Sequence, residues 1–108
     1  MTDDSVEATI RRAIGGDEAA IASVVASAMD CDDARLVALA AILSCRPDWI
    51  ARAHHLALTT RDRQVVAISA SYLAGQRDLV QMLARDHLAD HPDSLIVAWI
   101  ASHPNGKA

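Results

Sequence analysis

The sequence contains no phenylalanine, and only Tyr72, Trp49 and Trp99 are aromatic among its 108 residues. Its apolar content, 52% of the chain, therefore comes mainly from alanine, isoleucine, leucine and valine. That content is sufficient for one hydrophobic core and argues against a disordered chain. Alanine is the strongest helix former, and small side chains let helices approach closely. We expect a single all-helical domain over residues 1–108.

The sequence also lacks a cluster of basic residues. Ten basic residues face 14 acidic ones, which gives a net charge of −4, and the two signs are mixed along the chain. Nucleic acid is therefore not expected as a partner, because binding a phosphate backbone requires clustered lysine and arginine. The first residues are acidic before they are apolar, and no apolar run reaches the roughly 20 residues of a membrane span. We expect a cytoplasmic protein without a membrane partner.

Sequence signatures of catalysis and cofactor binding are lacking. Cys31 and Cys45 lie too far apart for a CxxC redox pair and are too few for a zinc ribbon, so we expect reduced thiols. There is no glycine-rich phosphate loop, no GxSxG turn and no HExxH pair. A Ser/His/Asp or Cys/His centre can assemble from distant residues, but no local motif supports one. We expect no catalytic residue and no cofactor.

Helical spacing of apolar residues extends over nearly the whole chain, and no stretch alternates for long in the manner of a half-buried strand. Glycine, proline and capping residues interrupt this pattern at regular intervals, which predicts seven short helices. The interruptions lie at Gly15–Asp17, Asp30–Asp33, Arg46–Asp48, Thr60–Asp62, Gly75–Asp78 and His91–Ser94.

The chain divides into four segments that each carry aspartate at the second position. These segments are 3–31, 32–60, 61–91 and 92–108, and the shared residues are Asp4, Asp33, Asp62 and Asp93. Each complete segment is predicted to be one helical hairpin. A single hairpin cannot bury its apolar face alone, so hairpins of this length stack on one another. The sequence predicts stacked antiparallel hairpins, arranged as an α-solenoid or as a helical bundle.

Residues 65–94 resemble helical-hairpin repeats. The pattern that resembles tetratricopeptide units consists of Leu73, Gly75, Asp78, Leu83, Leu88, Asp90 and Pro92. Ser71 departs from that pattern where an aromatic residue is expected, and the short period with its early aspartate is similar to HEAT-like repeats instead. Either resemblance implies a scaffold or adaptor that binds other proteins, and neither implies a catalytic residue.

Two histidines four residues apart, His87 and His91, lie in the stretch ARDHLADHPD. The tripeptide His-Leu-Ala occurs there and again at His55, so stacked hairpins would place His55 and His87 on neighbouring helices. One interpretation is a metal site formed by His55, His87 and His91. The other is that these histidines lie against the negative ends of helix dipoles. Clustered histidines also predict a stability that depends on pH near about 6.

The last predicted helix, SLIVAWIAS, is apolar on every side although it lies at the end of the stack. An apolar terminal helix has to be covered, so we expect Leu95, Ile96, Trp99 and Ile100 to contact a second copy of the chain or another protein. The alternative is that this helix packs back into its own domain. Further partner contacts are expected from residues at comparable repeat positions in the polar faces of the first helices, namely Arg35, Arg63 and Gln64. The sequence thus predicts a small protein-interaction module that forms a homodimer, with a metal-binding protein as the alternative.

Overall fold

Seven α-helices account for most of residues 3–103, the part of the chain that this computed structural model describes, with side chains described from residue 6 onward. They are α1 (Asp3–Ile14), α2 (Glu18–Ser27), α3 (Ala34–Ser44), α4 (Ile50–Leu56), α5 (Thr60–Leu73), α6 (Arg77–Asp90) and α7 (Leu95–Ser102), and a 3₁₀ turn (Pro47–Trp49) precedes α4. The all-helical prediction is confirmed. No helix in this part of the chain is both long enough and apolar enough to cross a membrane.

Consecutive helices pack as hairpins around an inner row. The inner helices are α1, α3, α5 and α7, and each contacts the next inner helix in the row. The outer helices are α2, α4 and α6, and each packs against the two inner helices that flank it in sequence. The row also closes, because α7 contacts α1. The two ends of the stack therefore cover each other, and the described chain measures 32 × 30 × 24 Å.

The first three inner helices end in the same way. Gly16, Cys45 and Gly75 each adopt a left-handed backbone conformation, with φ of 95°, 55° and 76°. Beyond each of them, a backbone N–H donates to a carbonyl five residues earlier, as in Asp17 to Arg12 and Arg46 to Ala41. This is the Schellman arrangement, which satisfies carbonyls at a helix end. The three positions are 29 and 30 residues apart (45−16 and 75−45), so the hairpin period is visible in backbone geometry.

The aspartates that define the sequence period do not occupy equivalent positions. Asp33 is the N-cap of α3, where its carboxylate accepts from a backbone N–H. Asp62 lies in the first turn of α5, and Thr59 is the N-cap there. Asp93 precedes the N-cap of α7, and the side chain of Asp4 lies outside those described. The repeated aspartates therefore lie near the starts of inner helices, but each has a different position relative to the N-cap of its helix.

Helix α3 is the centre of the fold. Eight of the nine residues from Ala34 to Ile42 are buried, and Arg35 is the exception. One side of the helix, with Leu36 and Leu39, packs into a core shared with α1, α2, α5, α6 and α7. The opposite side, with Val37, packs into a second core shared with α4 and α5. An apolar helix without a polar face has to be covered all round, and four neighbouring helices cover α3.

Replacing Cys45 with glycine is expected to stabilise the protein. A left-handed conformation costs roughly 1–2 kcal/mol for a residue with a side chain, and glycine avoids most of that cost while losing some backbone entropy. We expect a gain of about 1 kcal/mol, or roughly 4 °C in Tm, by thermal and urea denaturation. Cys45→Ala is the matched control, because it removes the thiol and keeps the side-chain clash. Equal stabilisation by both variants would contradict this explanation.

Candidate functional site

A buried histidine connects three helices. His87 lies on the core side of α6 and is 2% exposed. Its Nδ1 is 2.7 Å from Oε1 of Gln64 on α5, and its Nε2 is 3.0 Å from Oγ of Ser94 at the start of α7. Both ring nitrogens therefore have a partner, and the last inner helix is joined to the hairpin before it.

The partners of His87 fix its tautomer. A carbonyl oxygen only accepts hydrogen bonds, so Nδ1 carries the proton and donates it to Gln64. Nε2 is then unprotonated and accepts from the hydroxyl of Ser94. Ser94 is the N-cap residue of α7, yet its hydroxyl makes no capping bond because it is used by His87.

The surroundings of His87 keep its ring neutral. Burial lowers the pKa of His87 below its usual 6.5, and the nearby charges of His91 and Arg61 lower it further. Asp90 and Asp93 act in the opposite direction without reversing the shift. Folding therefore favours the unprotonated ring.

Ser94, His87 and Gln64 form a relay with the connectivity of a nucleophile, a base and an orienting group. The hydroxyl of Ser94 is closed to a substrate, because Ser94 is 5% exposed and the cavity beside it measures about 10 Å³. A volume of that size holds about one water molecule. The relay therefore joins α5, α6 and the start of α7.

The histidines of the expected metal site are not brought together. His55 is exposed in the last turn of α4, whereas His87 and His91 lie side by side with ring centroids 4.9 Å apart. Among residues 3–103, no group of three or more histidine, cysteine, aspartate or glutamate side chains is arranged to hold a metal ion. Coordination by His87 would also require the loss of a bond to Gln64 or Ser94. The geometry gives the metal interpretation no support.

Two of the three polar residues expected at a partner surface are engaged within the chain. Gln64 accepts from His87, as described. Arg35 is half-buried and pairs with Glu7 at 3.2 Å and with Asp33 at 3.3 Å. Burial alone would lower the pKa of Arg35, but the hydrogen bond to Asp33 and the surrounding carboxylates outweigh it and raise the pKa. Arg63 is exposed.

The apolar residues of α7 that were expected at an interface divide into two groups. Ile96 and Ile100 are buried inside the chain, where α1, α5 and α6 pack against the helix. Leu95 and Trp99 are half-buried and keep some free surface. Trp99 also stacks on His103, with ring centroids 4.4 Å apart. The apolar character of α7 is thus explained within the chain, and a partner could reach only Leu95 and Trp99 of this group.

A groove of about 230 Å³ lies between α5 and α6. We call it the α5–α6 groove. Ala67, Ile68 and Leu83 give it apolar walls, and the exposed carboxylates of Asp86 and Asp90 lie along it. The remaining lining residues are Gln64 and His87, so no lysine or arginine lines the groove.

The solvent side of α6 continues this groove as an apolar and acidic stripe. Leu79, Met82, Asp86 and Asp90 are all exposed and follow one another at spacings of three and four residues, which places them on one face of the helix. We call these four residues the α6 stripe. Met82 is 51% exposed, a large fraction for an unbranched apolar side chain in the middle of a 14-residue helix.

The sequence of α6 already indicates an exposed apolar surface, because the helix has more apolar positions than one buried face requires. The apolar positions of α6 are Leu79, Val80, Met82, Leu83, Ala84, Leu88 and Ala89. They cover more of the circumference than one buried face requires. Val80 and Ala84 point into the core, so the excess lies at Leu79 and Met82.

A larger cleft, of about 530 Å³, lies beside the acidic loop Asp30–Asp33. Asp33 is occupied as the N-cap of α3 and as a partner of Arg35. The side chain of Asp32 is 94% exposed and lies 3.8 Å from Arg52. These carboxylates are directed to separate partners and to solvent, so they form no shared cation site.

Comparison of the chain with protein-family models, with curated proteins and with solved structures finds no match.

Stability is expected to fall as the pH falls below about 6.5. Because the pKa of His87 is lowered in the folded state, the unfolded chain binds more protons in this range, and acid shifts the equilibrium toward it. Tm measured between pH 7.5 and 5.5 should decrease, and His87→Gln should flatten that dependence. The exposed His54 offers the control, since His54→Gln should keep it. An unchanged slope in His87→Gln would show that another group titrates.

Removing the hydroxyl of Ser94 is expected to destabilise the protein by about 1–3 kcal/mol, because the buried Nε2 of His87 loses its donor. Urea denaturation of Ser94→Ala measures this cost. The matched control is Ser102→Ala, whose exposed hydroxyl bonds only to a carbonyl of its own helix, so the change should stay within about 0.5 kcal/mol. Similar values for the two variants would contradict the assigned role of Ser94.

Proposed function

We propose that this protein is a small protein-interaction module, an adaptor or scaffold whose partner docks on the α6 stripe and the adjoining α5–α6 groove. The observation that carries the proposal is the exposure of Leu79 and Met82 on α6, the helix that also forms one wall of the α5–α6 groove. Clustered exposed apolar side chains next to a concave surface are typical of docking sites for other proteins.

The size of the groove supports a protein partner over a small molecule. Pockets for cofactors and drug-sized ligands usually measure about 300–1,000 Å³ and enclose most of the ligand. The α5–α6 groove measures about 230 Å³ and is open along one side, which suits one or two side chains of a docked segment. Methionine also suits such a surface, because its flexible side chain adapts to different shapes.

We place the docking surface on the α6 stripe, whereas the sequence suggested an interface on α7. Ile96 and Ile100 contribute to the core, while the α6 stripe offers exposed apolar surface without loss of internal packing. A homodimer and membership of a tetratricopeptide-like or HEAT-like repeat family remain predictions. If the partner is a second copy of the chain, the same stripe should be covered in the dimer.

The double variant Leu79→Asp/Met82→Asp tests this function. Leu79 is 36% and Met82 51% exposed, so we expect a loss of stability of about 1 kcal/mol per site and a loss of binding of at least about tenfold. The readouts are molar mass by light scattering and the proteins retained from extracts of the native cells. The double variant should be monomeric and should lose the protein that the wild type retains.

Leu58→Asp is the matched control, because Leu58 is 81% exposed in the turn after α4 and lies outside the α6 stripe. It should assemble like the wild type. Assembly that survives the double variant would contradict the proposal, and so would equal loss in the control. A wild-type protein that stays monomeric and retains no specific protein would contradict it as well.

A further inference from the structure

We infer that the segment docked on the α6 stripe is an amphipathic helix with apolar residues toward one end and lysine or arginine toward the other. This inference rests on the proposed function and specifies the chemistry of the partner. It follows from the order of residues along the stripe, from the charges available there and from the length of the exposed face.

The two halves of the α6 stripe differ in chemistry. Leu79 and Met82 occupy the half nearer the start of α6, and Asp86 and Asp90 occupy the half nearer its end. An apolar contact therefore fits one half and a positive charge fits the other. A partner with these two features in the reverse order would place its apolar side chains against Asp86 and Asp90. Burying a carboxylate against an apolar side chain is costly.

The carboxylates of Asp86 and Asp90 are available to a partner. Neither forms an ion pair with a described residue, whereas Glu7, Asp33, Asp48 and Asp93 each pair with an arginine. His87, which lines the same groove, is buried, and that burial lowers its pKa and favours a neutral ring that does not offset them. The acidic half of the stripe therefore offers two carboxylates that favour a basic partner and repel an acidic one.

The length of the stripe argues for a helical segment. Leu79 and Asp90 are eleven residues apart, which corresponds to about 17 Å along a helix axis. A second helix of three turns laid beside α6 matches that length and presents its own anchors at spacings of three and four residues. Its basic residues would lie along the half of the stripe that borders the α5–α6 groove, beside Asp86 and Asp90.

The test uses two labelled helical peptides of equal length, and fluorescence anisotropy measures their binding. One peptide carries leucine in one half and arginine in the other, on a single face, and its twin carries glutamate in place of arginine. The wild-type protein should bind the arginine peptide at least about tenfold more tightly than the glutamate peptide. Added salt should weaken that binding.

Asp86→Asn/Asp90→Asn should weaken binding of the arginine peptide about five- to tenfold. Asp30→Asn/Asp32→Asn removes the same amount of charge from the acidic loop after α2. This control should change the affinity for the arginine peptide less than about twofold. Equal binding of the two peptides would overturn the inference, as would no binding or an equal effect of the two double variants. If Leu79→Asp/Met82→Asp still abolishes assembly in that case, the interaction module stands and only the charge of its partner is reassigned.

Discussion

The fold depends on covering α3, a helix with almost no polar face. Its residues enter two separate cores, one on each side, and neither core could be completed by the partner helix of its own hairpin. The hairpins on both sides are needed, which is why the chain folds as one stack and not as independent hairpins. Closure of α7 against α1 then covers the apolar surface that an open stack would leave at its two ends.

The buried polar residues fix the relative positions of helices whose other contacts are apolar. Small side chains such as alanine permit helices to slide past one another, because they provide few distinct contacts. The bonds of His87 to Gln64 and Ser94 have one geometry that satisfies all three groups, and so they fix α7 relative to α5 and α6. Among the described residues, no buried side-chain nitrogen or oxygen lacks a partner. The lowered pKa of His87 is a consequence of that burial and links the packing of α7 to pH.

Much of this architecture can be read from the sequence, because helix ends leave local signals. Glycines and capping residues predicted the seven helices, and the period near thirty predicted hairpins. Cys45 was not recognised as a helix end equivalent to Gly16 and Gly75, since its left-handed conformation has no signature in a cysteine. The pairing of His87 with Gln64, 23 residues away, also depends on tertiary packing. The position of α7 was open for the same reason, since an apolar helix can be covered by its own chain or by another.

The proposed interaction module rests on the apolar surface that the packing leaves exposed on α6. Helix α6 contributes Val80, Ala84 and His87 to the interior and still carries Leu79 and Met82 toward solvent. The most direct test places a photo-reactive amino acid at Met82 in the native cells, with the same substitution at Met29 as a control. Met29 is 61% exposed and lies in the turn after α2, away from the α6 stripe. The account predicts a discrete crosslinked protein at position 82, attached through a segment rich in lysine or arginine, and no such product at position 29. No crosslink at position 82, or the same products at both positions, would contradict it.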